Sequence, residues 1–370
     1  MDRSTDAHPR SRRARAGTNG FLEVEYGVKR LHGLRVIAVL VVLLGGLMAC
    51  GDSKETKKSG ASADAGTFPM TIKHALGTVT IKEKPKRVAT VNWANHEVPL
   101  ALGVVPVGMA SADFGDDNGD GLLPWVDKRL KDLNAKTPVL FDETDGIDFE
   151  AVADTRPDVI LAGYSGLTKK DYDTLSEIAP VVAYPDAPWA TPWREIIRIN
   201  SRAIGLAAEG EKLITDLEGQ INGVVAKHPQ VKGKSVMFLA HVDVNDLSQI
   251  GFYTTHDTRT LFFKDLGMTI PGSVAEASKG TDKFLLTRSA EQIDAFDDVD
   301  IIVGYGDDGL LQKLRKDPLL SKIPAVERGA VYMLPGSKPL GTAANPTPLA
   351  ISWVLEDYVT ALAEAAGKVK

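Results

Sequence analysis

Short apolar runs alternate with amphipathic segments along most of the chain. Runs typical of buried strands occur at 86–91 (KRVATV), 106–110 (PVGMA), 157–162 (PDVILA) and 181–184 (VVAY), and helical patterns fill the intervals at 148–155 and 171–178. A second series of this kind starts at 235–240 (SVMFLA). Because strands that alternate with helices form parallel sheets, the pattern predicts α/β architecture.

A long helical pattern separates the two series. Thr191 and Pro192 supply an N-cap and a proline at the start, and no further proline occurs until Pro229. The roughly 35 residues of this pattern would extend about 50 Å as one helix. Four glycines inside it allow breaks. We predict a single connecting helix over residues 193–228.

The second series repeats the first. PKRVATV followed by PLALGVVPVG is matched by GKSVMFLA followed by LFFKDLGMTIPG, and DFEAVADTRPDVILAGY is matched by SAEQIDAFDDVDIIVGYG. The order of the matched segments is preserved. The chain is therefore predicted to form two parallel-sheet α/β lobes, at 68–192 and 229–370, joined by one long helix, with a ligand cleft between the lobes at the strand ends.

Composition narrows the class of protein. The 370 residues are 44% hydrophobic and 25% charged, which is an ordinary globular composition. The net charge of −6 argues against a nucleic-acid-binding protein. With one cysteine, no intramolecular disulfide can form.

The first 49 residues read as a signal region. Lys29, Arg30 and Arg35 precede an uncharged apolar run at 36–49, which is short for a membrane span. The run ends in LMAC, which resembles the lipobox of bacterial lipoproteins and implies lipidation of Cys50 after cleavage. A plain signal peptide or a buried thiol is the alternative. Residues 50–67 are predicted to form a flexible tether, and translation is predicted to start at Val28.

Four stretches resemble one family of importer components: PKRVATVNWANHEVPLALGVVPVG, IDFEAVADTRPDVILAGYSGLTKKDYDTLSEIAPVVAY, KIPAVERGAVYMLP and NPTPLAISWVLEDYV. They are similar to the substrate-binding proteins of ABC importers for iron-siderophores and cobalamin, with lobes joined by a rigid helix. The actinobacterial ferric-siderophore branch is favoured. The resemblance implies a monomeric lipoprotein on the outer face of the membrane that delivers a ferric siderophore to a permease dimer with its ATPase, without a cofactor.

The ligand is expected to meet residues in loops at the strand ends, because a ferric siderophore already satisfies its iron and needs aromatic walls, hydrogen-bond donors and cations. The candidates are Asn92, Trp93, His96, Tyr164, Ser165, Trp189, His241, Arg259, Lys283, Tyr305 and Lys338. Tyr164 in AGYSG matches a ligand-contacting tyrosine of hydroxamate-binding relatives, whereas Thr144 stands where those relatives often have a basic residue. Catecholate, hydroxamate and carboxylate siderophores all stay open.

Several other functions compete with this interpretation. Haem, cobalamin or a bare metal ion could be the ligand of the same type of importer, although His96 and His241 alone are too few ligands for a metal site. Asp116, Asn118, Asp120 and Asp127 mimic a calcium loop, but Asp127 replaces its glutamate. An enzyme that reuses the fold is disfavoured because no activated nucleophile is apparent.

Two glutamates are candidates for contact with the permease. Glu150 and Glu291 begin matched helices in the two halves of the chain. In the family that the chain resembles, glutamates at these positions meet arginines of the two permease subunits. The alternative is that each carboxylate only stabilises a helix N-terminus, by about 0.3–1 kcal/mol.

Overall fold

The first sheet consists of parallel strands with helices between them. The computed structural model describes residues 66–240, 242 and 245–369. A hairpin of β1 (Met70–His74) and β2 (Gly77–Ile81) precedes the sheet. The sheet strands are β3 (Val88–Thr90), β4 (Gly108–Ala110), β5 (Val139–Phe141), β6 (Val159–Ala162) and β7 (Val181–Ala183). The helices are α1 (Glu97–Ala101), α2 (Pro124–Asp132), α3 (Phe149–Asp154) and α4 (Lys169–Ile178).

Some sequence predictions fall outside the described residues. These are the signal region 1–49 with the start at Val28, the lipidation site Cys50, residues 50–65 of the tether, and His241. Within the residues that the structure describes, no helix combines the length and the hydropathy that a membrane span requires.

The predicted single connecting helix is instead two helices, α5 (Trp193–Ala203) and α6 (Ala207–Val225). The break lies at Gly205, whose φ of +70° is left-handed and ends the first helix. The second helix then packs back on the first, so that Arg194 forms an ion pair with Glu218 at 2.7 Å. Glycine at 210 permits this packing, because a Cβ there would lie 2.1 Å from the Ser201 hydroxyl oxygen.

The second sheet contains β8 (Val236–Leu239), β9 (Gln249–Tyr253), β10 (Leu285–Ser289), β11 (Ile301–Tyr305) and β12 (Val331–Leu334). Its helices are α7 (Thr258–Asp265), α8 (Gly272–Ala277), α9 (Asp308–Lys316), α10 (Pro324–Arg328), α11 (Pro339–Ala343) and α12 (Pro348–Ala366). Short 3-10 helices lie at Pro229–Val231, Ala290–Phe296 and Leu320–Lys322.

The two sheets have the same strand order. The first is ordered β5-β4-β3-β6-β7 and the second β10-β9-β8-β11-β12, which is the internal repeat that the sequence predicts. The second sheet, however, is mixed and not all parallel, because β9 runs antiparallel to β8 and β10. The segment between Leu239 and Gln249 is too short for the crossover that a parallel neighbour requires.

The C-terminal helix α12 joins the lobes. It packs against α1 and α2 of the first lobe as well as against α6 and β12. One apolar core consequently includes Trp125 of the first lobe, Phe238 of the second and Ile351 of α12, all buried. The second lobe as predicted, residues 229–370, therefore ends in a helix shared with the first lobe, and the described residues belong to one compact unit.

Candidate functional site

A cavity of about 530 Å³ opens at the carboxyl edge of the first sheet. Its walls come from the loops that follow β3, β4 and β5, from the start of α2, and from the loop between β7 and α5. The volume is within the range of small-molecule sites. The lining residues are Asn92, Trp93, His96, Met109, Ala110, Ser111, Ala112, Asp113, Gly121, Leu122, Leu123, Val126, Leu140, Asp142, Glu143, Thr144 and Trp189.

Asn92 links three strand-end loops. Its backbone N–H and its Nδ2 both donate to Glu143 Oε2 at 2.9 Å, and its Oδ1 accepts from the Gly166 N–H at 3.1 Å. Its φ of 57° lies in the left-handed region, which asparagine tolerates better than most residues. Burial raises the pKa of Glu143, the hydrogen bonds from Asn92 oppose the rise, and the Asp113 carboxylate adds to it.

His96 contributes a neutral ring to the cavity wall. The residue is 7% exposed, and burial lowers the pKa of His96 to about 4. Its Nδ1 has no hydrogen-bond partner among the described residues. At neutral pH this side chain therefore carries no charge and holds a buried polar atom without a protein partner.

Two tryptophans form the aromatic part of the wall. Trp93 and Trp189 both line the cavity and are half-buried. Trp189 lies edge-on against Tyr164, with ring centroids 5.4 Å apart. Glycine at 166 makes room for the indole, because a Cβ there would lie 2.3 Å from Trp189 Nε1. Aromatic faces in this arrangement suit a flat or amide-rich ligand.

Tyr164 and Ser165 lie behind the wall. Tyr164 is 3% exposed, and its hydroxyl accepts a hydrogen bond from Asn345 Nδ2 of the second lobe at 3.4 Å. Burial raises the pKa of Tyr164. Ser165 is fully buried, and its hydroxyl donates to the Ala162 carbonyl at 2.8 Å. Neither residue lines the cavity, so both support the loops that do.

The predicted contacts of the second lobe that the structure describes do not line this cavity; they are Arg259, Lys283, Tyr305 and Lys338. Arg259 forms an ion pair with Asp257 at 2.7 Å, donates from Nη1 to the Tyr305 hydroxyl at 3.2 Å, and stacks 3.6 Å from the Tyr253 ring. Lys283 and Lys338 are exposed on the same lobe. The Arg259 guanidinium, a predicted ligand contact, is therefore paired within the protein.

Residues 111–121, between β4 and α2, extend from the cavity to the second lobe and are called the rim loop. Phe114 meets Tyr305 edge-on, with ring centroids 6.4 Å apart. At Gly115, whose φ is +87°, a Cβ would lie 2.1 Å from the Thr342 hydroxyl oxygen of α11. The loop thus forms one wall of the cavity and also contacts the opposite lobe.

The calcium-loop residues do not converge on a metal site. The Asp116 carboxylate accepts hydrogen bonds from the backbone N–H groups of Asn118, Gly119 and Gly121. Asp120 accepts from Asn118 Nδ2, and Asp127 pairs with Lys131 at 2.6 Å. Their oxygens therefore shape an acidic turn. Across the described part of the chain, no group of three His, Cys, Asp or Glu residues could hold a metal ion.

Sequence reasoning missed much of the wall, including Ser111, Asp113, Asp142 and Glu143. Their position along the chain could have indicated them, because they closely follow β4 and β5 and ligands bind where parallel strands end. The β5 strand, only three residues long, was not predicted, so the acidic segment after it was not placed at the site.

Glu150 and Glu291 are both exposed and occupy equivalent places. Glu150 lies in the first turn of α3, after the N-cap Asp148, and Glu291 lies in the first turn of the 3-10 helix that starts at Ala290, after Ser289. Each helix starts at the carboxyl edge of its sheet and leads into the next central strand, β6 or β11. The two carboxylates therefore lie on the same edge of the sheets as the cavity does in the first lobe.

Comparison with known proteins decides the family. The sequence model of the family described as periplasmic binding protein matches residues 88–337, which is more than half of the chain. The chain belongs to this family. A solved structure of PiaA from Streptococcus pneumoniae TIGR4, in complex with ferrichrome, is 45% identical with a TM-score of 0.78, over 81% of this chain and 99% of PiaA.

Two Bacillus subtilis proteins are more distant relatives of this binding protein. One is named as a probable siderophore-binding lipoprotein, YfiY, and is 25% identical over 72% of this chain and 78% of its own. The other is the iron(3+)-hydroxamate-binding protein YxeB, 24% identical over 80% of this chain and 88% of its own. The resemblance noted in the sequence is confirmed, and the family is one of binding proteins that serve transport.

Proposed function

We propose that this protein captures a ferric hydroxamate siderophore outside the cell and delivers it to an ABC importer. The observation that carries the proposal is the cavity with Trp93 and Trp189 in its wall, in a chain 45% identical to a protein whose structure contains ferrichrome. Support comes also from the named siderophore-binding relatives.

The chemistry of the wall agrees with a ligand that brings its own coordination shell. Hydroxamate oxygens fill the coordination sphere of iron(III), so the protein contributes packing and hydrogen bonds. Leu122, Leu123 and the two tryptophans offer apolar contact. Ser111 and Thr144 offer polar contact. A bare iron ion would instead need several carboxylates or histidines around one point.

Native mass spectrometry of the purified chain with ferrichrome, ferric citrate, haem, cobalamin and iron(III) chloride tests the ligand class. We expect one ferrichrome to bind per chain, with quenching of tryptophan fluorescence because two indoles lie in the cavity wall. Binding of haem, cobalamin or bare iron without ferrichrome would refute the proposal.

For delivery, Glu150 and Glu291 are proposed as the contacts with two permease subunits. The arrangement that supports this is symmetry, since each carboxylate occupies the same place relative to its sheet. A repeated charge on two similar lobes suits a partner made of two subunits, because it fixes both orientation and register. Both glutamates are fully available, as no ion pair occupies either within the described residues.

A charge-deletion pair tests delivery separately from capture. Glu150→Ala/Glu291→Ala is expected to keep ferrichrome affinity and to lose most uptake and most stimulation of the ATPase. Glu177→Ala/Glu327→Ala is the matched control, because these exposed glutamates end α4 and α10 at the opposite edge of the sheets. Equal uptake by the two double variants would exclude the docking assignment.

Attachment to the outer face of the membrane is proposed to depend on lipidation of Cys50. The LMAC sequence and the lipoprotein relatives support it. Cys50→Ser is expected to release the protein into the medium, measured by fractionation. Retention of the serine variant in membranes would overturn this part.

A further inference from the structure

The cavity wall carries negative charge without a counter-charge. Asp113, Asp142 and Glu143 line it, whereas its described lining contains no lysine or arginine. None of the three carboxylates takes part in an ion pair in the described part of the chain. The hydrogen bonds of Asn92 occupy Glu143, which leaves Asp113 and Asp142 at the exposed rim.

The remaining side chains of the wall do not neutralise this charge. His96 is the one imidazole among the described lining residues, and burial lowers the pKa of His96 to about 4, so the ring is neutral at pH 7. The Thr144 hydroxyl and N–H hold the pKa of Asp142 below its usual range, which keeps that carboxylate ionised. The ligand therefore meets a wall of negative potential.

Two cations of the structure are held in ion pairs with other carboxylates. Arg259 is paired with Asp257 in the second lobe, and Lys131, on the helix that follows the rim loop, is paired with Asp127. Trp93 and Trp189 in the same wall are an independent sign of a ligand site, because small-molecule cavities are lined mainly by apolar and aromatic side chains with a few polar groups.

We infer that this cavity selects ferric hydroxamates that carry a positive charge over neutral ones, with Asp113 as the residue that determines this specificity. The inference rests on the proposed function and narrows its ligand class. An ammonium group on the siderophore periphery would lie at the rim beside the Asp113 carboxylate. Anionic ferric complexes, such as catecholates and citrate, would be repelled by the same carboxylates.

A pair of ligands isolates the charge. Ferrioxamine B carries a pendant ammonium group and is cationic as its iron(III) complex, whereas its N-acetylated derivative is neutral and has the same coordination shell. Taking an effective dielectric constant between that of a protein surface and that of water, we expect the cationic complex to bind about tenfold tighter at low ionic strength. Added salt should reduce the ratio of the affinity for the cationic complex to the affinity for the neutral complex, because Asp113 is exposed to solvent.

Two variants test the assignment by fluorescence titration of the full chain. Asp113→Asn is expected to lower the ratio of the two affinities severalfold, with little change for the neutral complex, while Asp142 remains at the rim. Asp117→Asn removes the same charge from the same loop at an exposed position that does not line the cavity, and is expected to keep the ratio. Thermal unfolding of both variants shows that each is folded.

The outcomes separate the inference from the function on which it rests. A ratio near ten that falls in Asp113→Asn alone supports the inference. Equal affinities of the unsubstituted protein for the two complexes overturn it, although ferric hydroxamate binding then stands. An equal fall of the ratio in both variants shows a long-range effect of net charge and overturns the role of Asp113. Binding of neither complex overturns the proposed function and, with it, the inference.

Discussion

Glu97 of α1 accepts a hydrogen bond from the backbone N–H of Leu349 in α12, at 2.8 Å from N to Oε2. Its other oxygen accepts from Trp125 Nε1 at 2.7 Å. Glu97 is 1% exposed, so this carboxylate is buried at the N-terminus of a helix that belongs to the last segment of the chain. One side chain thus fastens α12 to both α1 and α2 of the first lobe.

Replacing Glu97 tests how strongly it joins the lobes. In Glu97→Gln the amide N–H₂ would face N–H donors, so at least one buried donor loses its acceptor. We expect the free energy of unfolding to fall by about 1–3 kcal/mol. Urea unfolding measures it, with the exposed Glu177→Gln as the control. Equal stability of the two variants would contradict the role of Glu97.

His96 gives the protein a pH-dependent stability. Because the folded-state pKa of about 4 is below the usual 6.5, the neutral form is favoured by folding. The stabilisation is present above pH 6.5 and is lost as the pH falls from 6.5 towards 4, by about 3 kcal/mol in total. We expect His96→Gln to show a smaller loss between pH 7 and pH 4.5 in urea unfolding. The same loss in His96→Gln as in the unsubstituted protein would contradict this role of His96.

Trp93 is expected to contribute stacking energy to the ligand. Trp93→Ala should weaken ferrichrome binding roughly 5- to 150-fold, if base–aromatic stacking of about 1–3 kcal/mol is the guide. Isothermal titration calorimetry is the suitable measurement because the variant has lost a fluorophore. Trp353→Ala is the control, because Trp353 is 41% exposed on α12 and does not line the cavity. A loss of affinity in the control alone would place the ligand elsewhere.

Gly115 and Gly119 form a matched pair in the rim loop. Their φ angles are +87° and +79°, so alanine is strained at either position. Only at Gly115 would the new Cβ meet a neighbour, Thr342 of the second lobe. We expect Gly115→Ala to lower the melting temperature more than Gly119→Ala does. The same loss in both variants would mean that the contact between loop and lobe adds nothing.

The sequence predicts the strands that are apolar and buried, and with them the duplicated lobes. Val159–Ala162 and Val236–Leu239 are entirely buried, and such runs have a clear signature. It does not predict β5, because Val139–Phe141 begins with an exposed residue, whereas β7, an edge strand of the same length, is fully buried. The direction of β9 also depends on the length of a connection, which hydrophobic pattern does not encode.

Some residues of the candidate site are predictable from the sequence and others are not. Asn92, Trp93, His96 and Trp189 lie in polar loops after apolar strands and line the cavity as position suggests. Tyr164 was predicted to contact the ligand, but it is buried between Trp189 and Asn345 of the second lobe. Contacts between distant parts of the chain decide this burial, and local sequence does not show them. The pairing of Arg259 with Asp257, two residues away along the chain, takes away a cation that a sequence pattern leaves available.

The contact between Phe114 and Tyr305 connects the rim loop of the first lobe with the second lobe. Since α6 and α12 pack together and α12 also packs against the first lobe, we expect ligand exchange to depend on local movement of residues 111–121 and not on movement of the lobes. Release should therefore be limited by a local opening of this loop. Hydrogen exchange is expected to slow in 111–121 when ferrichrome binds, with almost no change in the radius of gyration by solution scattering. A large compaction on binding would show that the two lobes move relative to each other.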